Sequence, residues 1–91
     1  MFVIVSYDIS DDKERKKVHN ILKDFGTRVQ YSVFECVINI KQLKELKEKT
    51  DIYATGSEDS IRYYLISDTS KLKLKITGKE KKVVHGKVYI I

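Results

Sequence analysis

Apolar and β-branched residues open the chain as one short block, Phe2-Val-Ile-Val-Ser-Tyr7, and give way to a polar cluster over Asp8 to Asp12. A block of that length with polar residues at its end predicts a buried first strand. The next apolar positions, Val18, Ile21, Leu22 and Phe25, recur at i, i+3, i+4 and i+7, while Lys13, Arg15, Lys16, Lys17 and Lys23 fall on other faces. That spacing predicts an amphipathic helix. Ser10 or Asp11 can accept backbone N–H bonds at its start, Asp11, Asp12 and Glu14 suit the positive end of its dipole, and Gly26 predicts a left-handed stop.

From Arg28 to Ile40 the β-branched and aromatic content rises, with Val29, Tyr31 and Val33 alternating against Gln30, Ser32 and Phe34, which predicts a second strand. A short helix is expected over 41–49, where Ile40, Leu43 and Leu46 share a face and Lys41, Glu45 and Lys49 form i,i+4 charge pairs. A loop containing Gly56 then leads to a strand over 60–67, followed by a strand over 72–76 in which Leu72, Leu74 and Ile76 alternate with lysines. The order is β-α-β-α-β-β, related to the ferredoxin-like plait of α+β proteins. A last apolar run, Val83, Val84, Val88, Tyr89, Ile90 and Ile91, has no place in a completed four-stranded sheet. It reads as an arm over 79–91 beyond a core over 1–78. Such an arm adds to an exposed edge, and in a small dimer that edge belongs to the partner.

With 91 residues, the chain is bounded to one domain with a high surface-to-volume ratio, which favours a homodimer. Its opening apolar run, Phe2 to Val5, falls far short of the roughly 18–20 residues a membrane span needs, and no other run is much longer. It also lacks the flanks of a secretory signal, and the lone Cys36 has no internal partner for a disulfide; the expectation is a cytoplasmic protein with no membrane contact. Cys36 lies in an apolar stretch and reads as a small buried hydrophobe.

Charge is placed unevenly. Residues 71–91 carry seven Lys and one Glu, whereas 1–70 carry 11 basic and 12 acidic residues. A basic excess of this kind suits a polyanion, because cationic side chains release the counterions condensed on nucleic acid. It also suits a strand with one solvated lysine face.

Asp8 is the sharpest candidate for chemistry, since it stands where a buried strand ends and before a helix begins. A hard cation such as Mg²⁺ prefers carboxylate oxygen and can stabilise charge on a phosphodiester. One Asp is a poor metal site, but a two-fold axis beside Asp8 would bring two copies together; the plain alternative is that Asp8 turns the chain. Asp11 and Asp12 suit a helix start as well as a metal. Arg15 and Arg28, with Lys13, Lys16 and Lys17, are candidates for positioning phosphates, Arg being favoured where a bidentate contact matters. Tyr7, Tyr31 and Phe34 stack on bases or fill core, and His19 and His85 stand alone without zinc spacing.

Read together, Val-Ile-Val-Ser-Tyr7-Asp8-Ile9-Ser10-Asp11-Asp12, then Arg15, Val18, Leu22, Gly26, Arg28 and Gln30-Tyr31-Ser32-Val33-Phe34-Glu35, resemble the CRISPR-associated Cas-two family. The resemblance implies a ferredoxin-like homodimer whose C-terminal strand docks on the partner subunit. It also implies a part in acquiring CRISPR spacers for antiviral defence, in which the dimer bridges Cas-one integrase dimers and binds duplex DNA. Some members are Mg²⁺-dependent nucleases on single-stranded RNA or duplex DNA. The family's metal-binding aspartate falls on Asp8, and its supporting positions fall on Arg15, Arg28 and Phe34. Lys17 departs from the family pattern by keeping charge while losing the planar fork of an arginine.

Two functions of different class follow. In one, Asp8 from two subunits holds Mg²⁺, with Arg15 and Arg28 steadying the phosphate of a phosphodiester being cleaved. In the other, the dimer is a scaffold that binds duplex DNA and recruits the integrase without cutting. A related virulence-associated RNase toxin, an RNA-binding plait and a small-molecule regulatory domain are further readings of the same element order.

Overall fold

The opening apolar block forms β1 (Phe2–Asp8), and its two-residue alternation divides the molecule into layers. The computed structural model describes residues 1–66 and, at 76–77, 80–81 and 88–90, the backbone of strands. After β1 come α1 (Asp12–Lys23), β2 (Thr27–Gln30), β3 (Val33–Val37), α2 (Ile40–Thr50) running into a 3-10 turn over Asp51–Tyr53, β4 (Ser60–Ile66), and the short strands β5 (Ile76–Thr77), β6 (Glu80–Lys81) and β7 (Val88–Ile90).

The main sheet has the order β2-β3-β1-β4-β7, with β5 and β6 paired separately. β1 is central, antiparallel to β3 on one side and to β4 on the other. This is the ferredoxin-like plait, with each helix crossing over one strand. On the helix side, Val3, Val5 and Tyr7 pack with Phe34, Cys36 and Tyr63 from the neighbouring strands and with Val18, Leu22, Leu43 and Leu46 from the helices. On the other side, Ile4, Val33 and Ile66 form a smaller cluster with Phe2 and Tyr64. Among the described residues no helix is long and apolar enough to cross a membrane.

The first helix follows the predicted stripe, with Val18 and Leu22 buried and the Asp11 side chain accepting from the Glu14 amide as its cap. Gly26 is required for a different reason from the expected left-handed stop. A side chain there would overlap the Glu35 carbonyl oxygen and come within 2.6 Å of Cys36 Sγ. The close approach of the chain to β3 demands glycine. α2 begins one residue earlier than expected, at a capping box in which Asn39 and Gln42 exchange side-chain-to-backbone bonds. Its C-terminal end is held to β4 because Tyr63 Oη lies 2.6 Å from both Thr50 Oγ1 and Asp51 Oδ1.

The single strand expected over 28–40 is instead a hairpin, β2 and β3, turning at Tyr31 and Ser32 with an irregular register between Arg28 and Gln30. No Gly, Pro or Asn marks that turn, so local sequence gave no stop. Tertiary pairing supplies it: a strand that long would overrun the seven-residue β1, and the Tyr7 amide donates to the Ser32 carbonyl at 3.0 Å. The terminal run does add to a sheet edge, through β7, but here that edge is β4 of the same chain. Of the strand expected over 72–76 only Ile76 is described, opening β5. The remainder of that strand, most of the basic C-terminal stretch and His85 lie outside the described residues.

Leu22→Ala removes a fully buried side chain between α1 and the sheet and should cost about 2–5 kcal/mol in denaturant unfolding, with the midpoint shifted and the slope unchanged.

Candidate functional site

The capped start of α1 sets Arg15 one turn into the helix, where its Nη1 donates to the Ile9 carbonyl at 3.0 Å and its Nη2 pairs with Asp12. The hydrogen bond to Asp12 strengthens the guanidinium's hold on its proton, against the effect of burial. Arg15 lines a cleft of about 290 Å³ together with Asp12, Lys16 and His19 of α1, Tyr7 of β1, Arg28 of β2 and Tyr31 of the hairpin turn. Three cations and one carboxylate thus share a small concavity with aromatic walls. Tyr31 is 67% exposed, so its ring is available to a ligand.

Tyr7 Oη lies 3.4 Å from His19 Nδ1 and 3.4 Å from the Tyr31 carbonyl oxygen. Burial, and then the neighbouring Tyr31, raise the Tyr7 phenol's pKa, while Arg28 and Arg15 pull it down. Burial also lowers the His19 pKa, reinforced by the positive charges of Arg28 and Lys23. Phe34 lies behind this wall: it is 0% exposed, its ring edge-on to His19 at 5.3 Å and tilted to Tyr7 at 6.4 Å. It offers no surface to a ligand and holds the two polar rings in place.

Asp8 is elsewhere. As the residue after core-facing Tyr7 it takes the opposite side of the sheet, exposed and opposite Ser60 of β4. Among the described residues no hydrogen bond or ion pair engages its carboxylate. The fold therefore brings Arg15, Lys16 and Arg28 together and leaves Asp8 outside their cleft. Lys13 is exposed on α1 away from the cleft, and Lys17 places its ammonium 5.5 Å from the Tyr53 ring centre. Asp11 is occupied as the helix cap.

No group of three or more His, Cys, Asp or Glu side chains able to hold a metal occurs among the described residues. Asp8 offers one hard, unpaired oxygen ligand, which fits a cation that keeps most of its waters and takes the rest of its ligands from a second chain or a phosphate. Cys36 is fully buried, and burial, then Glu35, push its thiol up to about 11, as expected of a packing residue.

A latch beside Asp8 escaped sequence reasoning. Asp59 Oδ1 accepts from both the amide and the hydroxyl of Ser10 at 3.0 Å, Asp59 Oδ2 accepts from the Gly56 amide at 2.8 Å, and the Thr55 hydroxyl donates to Glu14 at 2.7 Å. The loop before β4 is thereby tied to the turn after Asp8. The local signal was Gly56 three residues before Asp59, turn chemistry without a stated partner. The Ser10 and Gly56 amides hold the Asp59 carboxyl below its ordinary range.

The sequence and the antiparallel plait match those of small proteins of CRISPR systems. The family model described as CRISPR associated protein Cas2 matches residues 1–74, and the chain belongs to that family. A relative from Synechocystis, "CRISPR-associated endoribonuclease Cas2 3", is 39% identical over 75 residues, 82% of each chain. The crystal structure of Streptococcus pyogenes Cas2 superposes with a TM-score of 0.73 at 30% identity, covering 86% of this chain and 100% of that one. A chain of a partial Cas6-RT-Cas1-Cas2 complex aligns with a TM-score of 0.60 at 27% identity, covering 77% of this chain and 82% of that one.

Two measurements probe this geometry. Asp59→Ala should abolish amide-exchange protection at Ser10 and Gly56; in the unmutated protein the latch, whose carboxyl is depressed when folded, should hold above pH 3.8 and open as pH falls through its lower folded value. Cys36 should resist thiol alkylation at pH 8 in the native protein and react fully once denatured.

Proposed function

We propose that the chain works as a homodimeric adaptation protein of CRISPR immunity, binding duplex DNA together with a Cas1-like integrase. The observation that carries this reading is the convergence of Arg15, Lys16 and Arg28 on one cleft whose aromatic walls suit a sugar-phosphate strand. The likeness to a chain of a Cas1-containing complex supports the partnership. The core spans 1–78 and the arm 79–91. Pairing of Val88–Ile90 with the β4 edge supports the exchange, because an arm laid on a second copy would make the same backbone bonds.

A second reading, favoured by the exposed and unpaired Asp8 and by the names of the relatives, adds phosphodiester cleavage of RNA or duplex DNA. Asp8 from each subunit would hold Mg²⁺ or another divalent cation, which when bound supplies charge neutralisation at the phosphodiester and a more acidic water. Asp8 then acts from the sheet face, while Arg15, Lys16 and Arg28 grip the strand from the cleft, and Lys13 and Lys17 add diffuse charge along α1. Phe34 acts by fixing His19 and Tyr7 rather than by touching the strand.

Duplex binding should weaken with salt at a log–log slope of about −0.9 per phosphate neutralised, and Arg28→Ala should reduce that slope by about one for each subunit whose Arg28 meets the duplex. A slope unchanged by both Arg15→Ala and Arg28→Ala would remove the cleft from the DNA surface. Asp8→Ala should abolish divalent-dependent cleavage while light scattering still finds a dimer and DNA binding persists. Undiminished cleavage by the pure variant removes Asp8 from the chemistry, and a pure unmutated protein that cleaves neither RNA nor duplex DNA leaves the scaffold.

A further inference from the structure

One group in the cleft is not used by these phosphate contacts. His19 lies one turn beyond Arg15 on α1, so the two side chains share a helix face. Its ring is wedged against Phe34 at 5.3 Å, and its Nδ1 is 3.4 Å from Tyr7 Oη. The Tyr7 hydroxyl has one proton and two neighbours, His19 Nδ1 and the Tyr31 carbonyl. A carbonyl can only accept, so both contacts are satisfied together only when Nδ1 carries hydrogen and donates to the phenol. In that tautomer the lone pair is on Nε2, and Nε2 is the atom that gains or loses a proton.

The charges facing the ring decide when it does so. From α1 come Arg15, Lys16 and Lys23 against Asp12, whose carboxylate is taken up by Arg15; from β2 comes Arg28. β1, the turn and β3 contribute the uncharged Tyr7, Tyr31 and Phe34. In the free protein, cations therefore outnumber anions around His19 and oppose a further positive charge. An oxyanion entering the cleft reverses that balance and offers an acceptor to Nε2–H.

We propose that His19 is a phosphate-binding residue of this cleft that takes up a proton from solvent as the phosphate arrives, so that anion binding here is proton-linked. The inference deepens the reading of the cleft as a nucleic-acid surface and rests on it for the identity of the phosphate. Because the bound form has the higher pKa, affinity is greatest below the free-state pKa of His19 and falls as pH rises through the bound-state value. Each unit by which binding raises that pKa gives tenfold in affinity across the window.

Imidazole resonances of the full-length protein, assigned with His85→Gln, are titrated from pH 5 to 8.5 alone, in sulfate, and with a short DNA duplex, at constant ionic strength. Sulfate keeps its charge throughout this range and serves as the phosphate probe. The expected result is a His19 midpoint about one unit higher with either anion. In parallel, duplex affinity should be about tenfold tighter at pH 5.5 than at pH 8, and His19→Gln should flatten that dependence. A midpoint unmoved by both anions, or an unaltered pH dependence in His19→Gln, overturns the proposal. A duplex that binds at no pH defeats the DNA reading, and the sulfate titration then decides His19 alone.

Discussion

The position of β1 between two antiparallel neighbours is the constraint from which the rest of the molecule follows. A strand paired on both edges has no freedom of register, because slipping by one residue would exchange Val3, Val5 and Tyr7 with Phe2, Ile4 and Ser6 and strip the core of its centre. That same alternation sends Tyr7 to the helix side and Asp8 to the other. Two residues adjacent in sequence thus face two different surfaces, and a site using both Asp8 and the Arg15–Arg28 cleft has to reach round the end of β1.

Around this strand the chain is secured by polar contacts at its ends. The Asp59 latch joins the loop before β4 to the turn after β1, and the Thr50, Asp51 and Tyr63 hydroxyl–carboxylate contacts join the end of α2 to β4. Both devices grip β4, whose far edge receives β7. An arm that docks by backbone pairing needs an unpaired strand edge, and these contacts anchor β4, the strand that offers one.

The cleft gathers its character from β1, α1 and the start of the β2–β3 hairpin, with Tyr7 of β1 forming part of its wall. α1 contributes Arg15, Lys16 and His19, β2 contributes Arg28, and the hairpin turn contributes Tyr31. Arg15 is held by the Ile9 carbonyl and Asp12, which places its planar fork before any ligand arrives. Phe34, core by burial, matters to the cleft only as the surface against which the His19 and Tyr7 rings lean.

Local pattern sufficed for β1, for the buried stripe Val18 and Leu22 and for β4, and narrowed the cap of α1 to Ser10 or Asp11, because each depends on residues within a turn or two of one another. The Asn39–Gln42 capping box was equally local, and its spacing was there to be read. The family likeness likewise rests on short motifs around Asp8 and Phe34, which the chain carries in its first half. The hairpin at Tyr31, the steric need for Gly26, the Asp59 latch and the parting of Asp8 from Arg15 and Arg28 are of another kind. Each is decided by a partner on another element, from Cys36 ten residues beyond Gly26 to Asp59 forty-nine beyond Ser10, through pairing length, close approach or the side of a sheet, and alternation along one segment carries no information about which other segment will meet it.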